Sequence, residues 1–212
     1  MRARAGVVDR VEVRDEPVLH VAIDSGGRRS GTQEAWTDFA DYWLKDGGVV
    51  DVLDQTIANA KTRIGRPSFR HKVVITMPDP IMLEYFTDKG SSTTYWGSVH
   101  DRTLDFQNTA DQVLAYQWYI NYVIEQWEKL TPQNVELAGF YILSEILVAK
   151  PNGWNYKYKR WDKILPPVAS YLHEMKYGLY WIPYYQPLLS NGKDLVREGY
   201  CGEIRYAGQR CN

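Results

Sequence analysis

The chain has 212 residues, long enough for one domain with a sizeable core. With 44% hydrophobic residues, 24% charged residues and a formal net charge of -1, it has the composition of a soluble globular domain and no electrostatic reason to bind nucleic acid or an anionic membrane surface. No run of about 18 apolar residues provides a membrane span. Four scattered histidines and the lone pair Cys201 and Cys211 lack the spacing of a tight transition-metal site, so no metal and no cofactor is expected.

Residues 1–45 form a poorly legible leader. "MRARAGVVDRVEVRDEP" is basic but has acids where a secretory signal needs an apolar core, so no signal peptide is expected. "VEVRDEPVLHVAID" alternates and suits a strand ending at Asp24, and "SGGRRSGTQE" reads as a loop. From residue 46 onward the chain reads as a single domain. Val50, Leu53, Ile57, Ala60 and Ile64 follow helical spacing from Val49, with Gly65 as the stop. "KVVITMP", Lys72 to Pro78, is a β-branched run of the kind buried on both faces of a sheet. A long loop from Asp79 to Phe106 follows.

Thr109 with Gln112 three residues on predicts a capped helix start, and Val113, Tyr116, Ile120, Val123, Ile124 and Trp127 carry the apolar stripe to about Leu130. The next strand, Val135 to Leu143, leads through Ser144 to Glu145. A shorter helix is expected from Pro166 in its first turn through Val168, Leu172 and Met175, with Gly178 as its stop. "LYWIPYY", Leu179 to Tyr185, reads as a third strand, "GKDLVREG" as a brief helix, and "GEIRYAG" as a weak fourth strand. Alternating helices and apolar strands predict an α/β fold built on a parallel sheet.

Parallel α/β folds place their chemistry at the carboxyl ends of the strands. Asp79, Glu145 and the group Tyr184, Tyr185 and Gln186 fall at that end. If the strand continues, alternation sets Glu145 on the face of Tyr141; the other reading is that Glu145 caps a following helix. Trp96 in "YWGSVHD" either stacks on a ligand or pins the loop, and His100 can donate to a hydroxyl. Asp111, Tyr119, Trp127 and His173 read as structural.

"KVVITMPDP", "YWGSVHDRTLDFQNTADQVLAYQWYINYVIEQW", "ELAGFYILSE" and "LYWIPYYQP" together resemble a bacterial family of unknown function whose members look like TIM-barrel glycoside hydrolases. The ordered matches cover roughly residues 42 to 187. The resemblance implies a TIM-barrel-like array of (β/α) units, action on a carbohydrate, and a secreted or cell-surface setting. It puts the family's strand-end acids on Glu145 and Asp79, and its aromatic strand on Trp181, Tyr184 and Tyr185. Where the family has Trp after "GFY", this chain has Ile142, and beyond Tyr185 the pattern weakens. The expectation is therefore a partial barrel of about four or five strands, with exposed sheet edges able to self-associate.

Glycoside hydrolysis needs two carboxyl groups across the scissile bond. Glu145 is the candidate acid/base and Asp79 the candidate partner, with Asp101 and Asp105 as further acids in the loop and Glu203 at the wrong end of its strand. The candidate substrate contacts are Trp96, His100, Tyr141, Trp181, Tyr184, Tyr185 and Gln186. The rival expectation is a carbohydrate-binding or scaffolding module, or an inactive partial barrel, without the chemistry.

Overall fold

The structure, a computed structural model, describes residues 31–66, 68, 70–80, 93–142, 161–181 and 205–206. Among the described residues the helices are α1 (Gln33–Leu44), α2 (Val49–Ile64), α3 (Thr109–Leu130) and α4 (Trp161–Glu174). The strands are β1 (His71–Met77), β2 (Ser98–Val99), β3 (Arg102–Thr103), β4 (Val135–Ile142), β5 (Gly178–Trp181) and the two-residue β6 (Arg205–Tyr206). β1, β4, β5 and β6 pair in that order, every pair parallel. β2 and β3 form a separate antiparallel hairpin inside the long loop after β1. The α/β class and the parallel sheet therefore stand.

The sheet has one sealed face and one open face. Ile75, Phe140 and Leu179 lie in register across three strands, and Met77, Ile142 and Trp181 form the next row; all six are at most 4% exposed. On the other face, Thr76, Tyr141 and Tyr180 share a row and are only half-buried, with Val74 36% exposed one row earlier. A bulge makes this sorting work. Val73 pairs with Leu137 but Val74 pairs with Gly139, so Ala138 is an extra residue that resets the alternation. Without it, Phe140 and Ile142 would turn away from the helices that Val135 faces.

Gly139, at φ 154°, is the residue that permits the close approach of β4 and β5: a Cβ there would overlap the carbonyl of Gly178. The helices pack side by side over the sealed face. Tyr122 Oη on α3 donates to Asp41 Oδ1 on α1 at 2.7 Å, and Tyr171 Oη on α4 donates to Asn121 Oδ1 on α3 at 2.7 Å. Their buried residues, Trp36, Phe39, Ile120, Val123, Leu165 and Leu172 among them, join one core with the strands.

Several local expectations change. Residues 33–44, which carried no periodic reading, form α1, with Thr32 as N-cap and Trp36, Phe39, Ala40 and Leu44 buried at helical spacing. Asn108 rather than Thr109 caps α3, its side chain accepting from Ala110 N at 3.0 Å, because the asparagine stands one residue earlier and already has cap geometry. α4 begins at Trp161, so Pro166 and Pro167 lie inside it. The buried stripe Ile164, Leu165, Val168, Ala169 and Leu172 holds that helix despite two missing donors. Its stop is Lys176 at φ 67°, with Tyr177 N bonded to Leu172 O and Lys176 N to His173 O, while Gly178 opens β5. The expected strand ending at Asp24 and the helix in "GKDLVREG" lie outside the described residues.

Candidate functional site

Strand register brings Met77, Ile142, Trp181 and Tyr206 to one level at the carboxyl end of the sheet. Asp79 follows Met77 by two residues, so it stands at that end. α3 runs back from there, and three polar side chains spaced along it meet the end of β1. Gln112 Nε2 donates to Pro80 O at 2.9 Å in a buried contact, Tyr119 Oη donates to Thr76 O at 3.1 Å, and Tyr116 lies between them beside Asp79. Burial pushes the Tyr116 hydroxyl well above its ordinary range, and the Asp79 charge adds to the rise. Tyr119 rises for the first reason alone. Both phenols are therefore held neutral, and that of Tyr119 donates to Thr76 O.

The Asp79 charge is therefore felt within the helix layer. Tyr141 lies in the half-buried row of the open face, with Thr76 on one side and Tyr180 on the other. Asp79 and Tyr141 thus share an end of the sheet, Asp79 two residues past β1 and Tyr141 in the half-buried row. Glu145, Tyr184, Tyr185 and Gln186 lie outside the described residues.

Trp96 is 1% exposed, with Trp36 edge-on at 5.2 Å, Trp118 edge-on at 5.4 Å and Phe106 tilted at 5.8 Å. Packed on these rings, it has no face open for a ligand and ties the loop to α1 and α3. The loop is fixed at further points. Gln33 N donates to Trp96 O at 2.7 Å, and Gln33 Nε2 donates to Ser98 O at 3.0 Å. Asp111, almost fully buried in the first turn of α3, accepts from Arg102 Nη2 at 2.7 Å and from Asp105 N at 2.9 Å. His100 and Asp101, at φ 50° and 60°, make the two-residue turn of the hairpin and are solvent-exposed. His100 therefore stands at the exposed tip of a hairpin that hydrogen bonds tie to α1 and to the first turn of α3.

Trp181 is 4% exposed and occupies the sealed face in register with Ile142. Its neighbour Tyr180 takes the open face instead. Alternation in "GLYW" is the signal that would have found it, since adjacent strand residues point to opposite faces and only one of the two aromatics can turn toward a ligand.

The amino end of the sheet is tied by a different set of polar contacts. Asp54 on α2 accepts from Asn134 N at 2.5 Å, Asn134 Nδ2 at 3.0 Å and Val135 N at 3.0 Å, while Lys61 Nζ donates to Asn134 Oδ1 at 3.1 Å. These contacts lock the start of β4 at the end where conservation of structure, rather than chemistry, is the usual task. Among the described residues, no group of three or more His, Cys, Asp or Glu side chains is placed to hold a metal, and no helix is long and apolar enough to cross a membrane.

Residues 18–192 match a protein family described as Domain of unknown function (DUF4855). No curated protein and no solved structure matches the chain.

Proposed function

Because the chain belongs to the DUF4855 family, a domain of unknown function covering residues 18–192, we propose its activity from the strand ends: a glycoside hydrolase-like (β/α)-barrel domain that acts on an oligo- or polysaccharide. The observation that carries this reading is the strand order. β1, β4, β5 and β6 advance in one direction with no reversal, and crossovers of one hand then put α3 and α4 on the same side. A doubly wound sheet reverses its order and is covered on both faces. A barrel does neither, and its inner face carries the site at the carboxyl ends of the strands.

In this reading Glu145, three residues beyond Ile142 of β4, is the acid/base carboxyl. Asp79 is the second acid at the same end. Phenols and a threonine hydroxyl on the open face contact the sugar, since aromatic rings with polar tips suit a ligand with C–H faces and hydroxyl rims. Release of reducing ends from an oligosaccharide panel tests the chemistry. Glu145→Gln is expected to lower kcat by about 10²- to 10⁴-fold with little change in affinity. Turnover that survives the substitution removes Glu145 from the chemistry.

One observation favours a second reading, a saccharide-binding domain without hydrolysis. The Asp79 charge acts on the buried Tyr116 of α3, and a carboxyl coupled to the helix layer is poorly placed to be the second carboxyl of a two-carboxyl mechanism on the open face. Saccharide binding with no turnover by the wild-type chain would select it.

A further inference from the structure

We propose that Tyr141 and Tyr180 form the floor of a saccharide subsite on the open face of the sheet; this deepens the reading above and rests on it. The two tyrosines are register partners on β4 and β5, so their side chains leave the same face about 4.8 Å apart. Thr76 continues the row on β1, giving three hydroxyl-bearing residues at one height across three adjacent strands. All three are half-buried, whereas every residue of the matching row on the opposite face is at most 4% exposed. In these two rows of β1, β4 and β5 the hydroxyl-bearing residues stand on the half-buried face, and the sealed face carries aliphatic, thioether and indole side chains.

Glycine shapes the floor below this row. Gly139 and Gly178 are register partners one row earlier, and neither adds a side chain. Tyr180 uses the space: a Cβ on Gly178 would come within 2.7 Å of its Cε2 and 3.1 Å of its hydroxyl, so the ring folds back along the strand over the glycine. A ring held against the sheet over Gly178, beside a second tyrosine in register with it, offers both an apolar surface and a hydrogen-bonding tip. That pairing matches the alternating C–H and hydroxyl surfaces of a sugar ring. The ion pair on this face, Lys72 to Glu136 at 3.9 Å, lies near the amino ends of its strands, two rows from the tyrosines in β1.

The full chain is titrated with cellohexaose, xylohexaose and tetragalacturonic acid, and binding is read by calorimetry. Tyr180→Phe keeps the ring over Gly178 and removes only the hydroxyl; with Tyr141→Phe it is expected to weaken binding about 3- to 10-fold while the chain still melts in one cooperative transition. Gly178→Ala deletes no hydroxyl but pushes the Tyr180 ring, and its hydroxyl with it, off the strand, at a position whose backbone is not left-handed, and should weaken binding by at least as much. Tyr177→Phe, at a ring packed edge-on against Phe140 of the sealed face at 6.1 Å, should leave affinity unchanged. Saccharide binding that ignores all of the Tyr141, Tyr180 and Gly178 changes overturns the subsite and leaves the proposed function standing. Failure of the wild-type chain to bind any of the three probes overturns both.

Discussion

Asp54 shows how one side chain at the amino end of the sheet couples a helix to a strand. Partial burial pushes its carboxyl up, but the donors on Asn134, Val135 and Gln133 outweigh that effect and hold it below its ordinary range. A carboxyl depressed on folding contributes stability above the pKa of the unfolded chain, about 3.9, and loses that contribution as the pH falls through the folded value. Asp54→Asn is therefore expected to lower stability at pH 7 by about 1 kcal/mol or less, because the site is largely solvent-screened. The gap from wild type should narrow below about pH 4. Urea melts at pH 7 and pH 3 check this, and a gap independent of pH would show that the hydrogen-bond geometry alone matters.

At the scale of elements, α1 is the instructive case. Trp36 is fully buried and meets Trp96, Tyr119 and Tyr116 at 5.2, 5.8 and 6.2 Å, so one helix supports the hairpin loop and α3 together. Trp36→Ala should cost about 3–5 kcal/mol and lower the melting temperature of the whole domain in one transition. Loss of only a local signal, with the main transition unmoved, would make α1 an appendage.

The elements that could be read in advance were those whose apolar period ran uninterrupted. α2 and α3 span the expected residues, and β1 and β4 differ by a residue or two at their ends. α1 was missed because its stripe is short and follows a Gly/Ser/Arg run, although Thr32 and the spacing of Trp36, Phe39, Ala40 and Leu44 were visible. α4 was misplaced because prolines signal a first turn more often than an interior. The bulge at Ala138 leaves no mark in a list of apolar residues, since both faces of "VELAGFYI" carry hydrophobes.

At the scale of the molecule, the parallel sheet advancing in one direction has one face covered by helices, and the proposed function assigns the other to a ligand. This division sorted the aromatic residues in a way composition could not: Trp96 and Trp181 went to the core, Tyr141 and Tyr180 to the open face. The end of the sheet at which a site should lie was legible from strand direction alone. Which side chains turn inward there depended on register, which the sequence expresses only through the glycine pair and the bulge. Asp79 illustrates the difference, since its position at the strand end was anticipated and its electrostatic effect on Tyr116 was not.

The most direct test of the account is where a saccharide touches the full-length chain. Amide chemical shifts followed by NMR during titration with the tightest-binding oligosaccharide should move at residues 76–79, 141–145 and 180–186, leaving Asp54, Asn134 and Val135 at the opposite end still. Shifts concentrated at that amino end, or spread over α1 and α2 with the strand ends unmoved, would contradict a carbohydrate site at the carboxyl ends of the sheet.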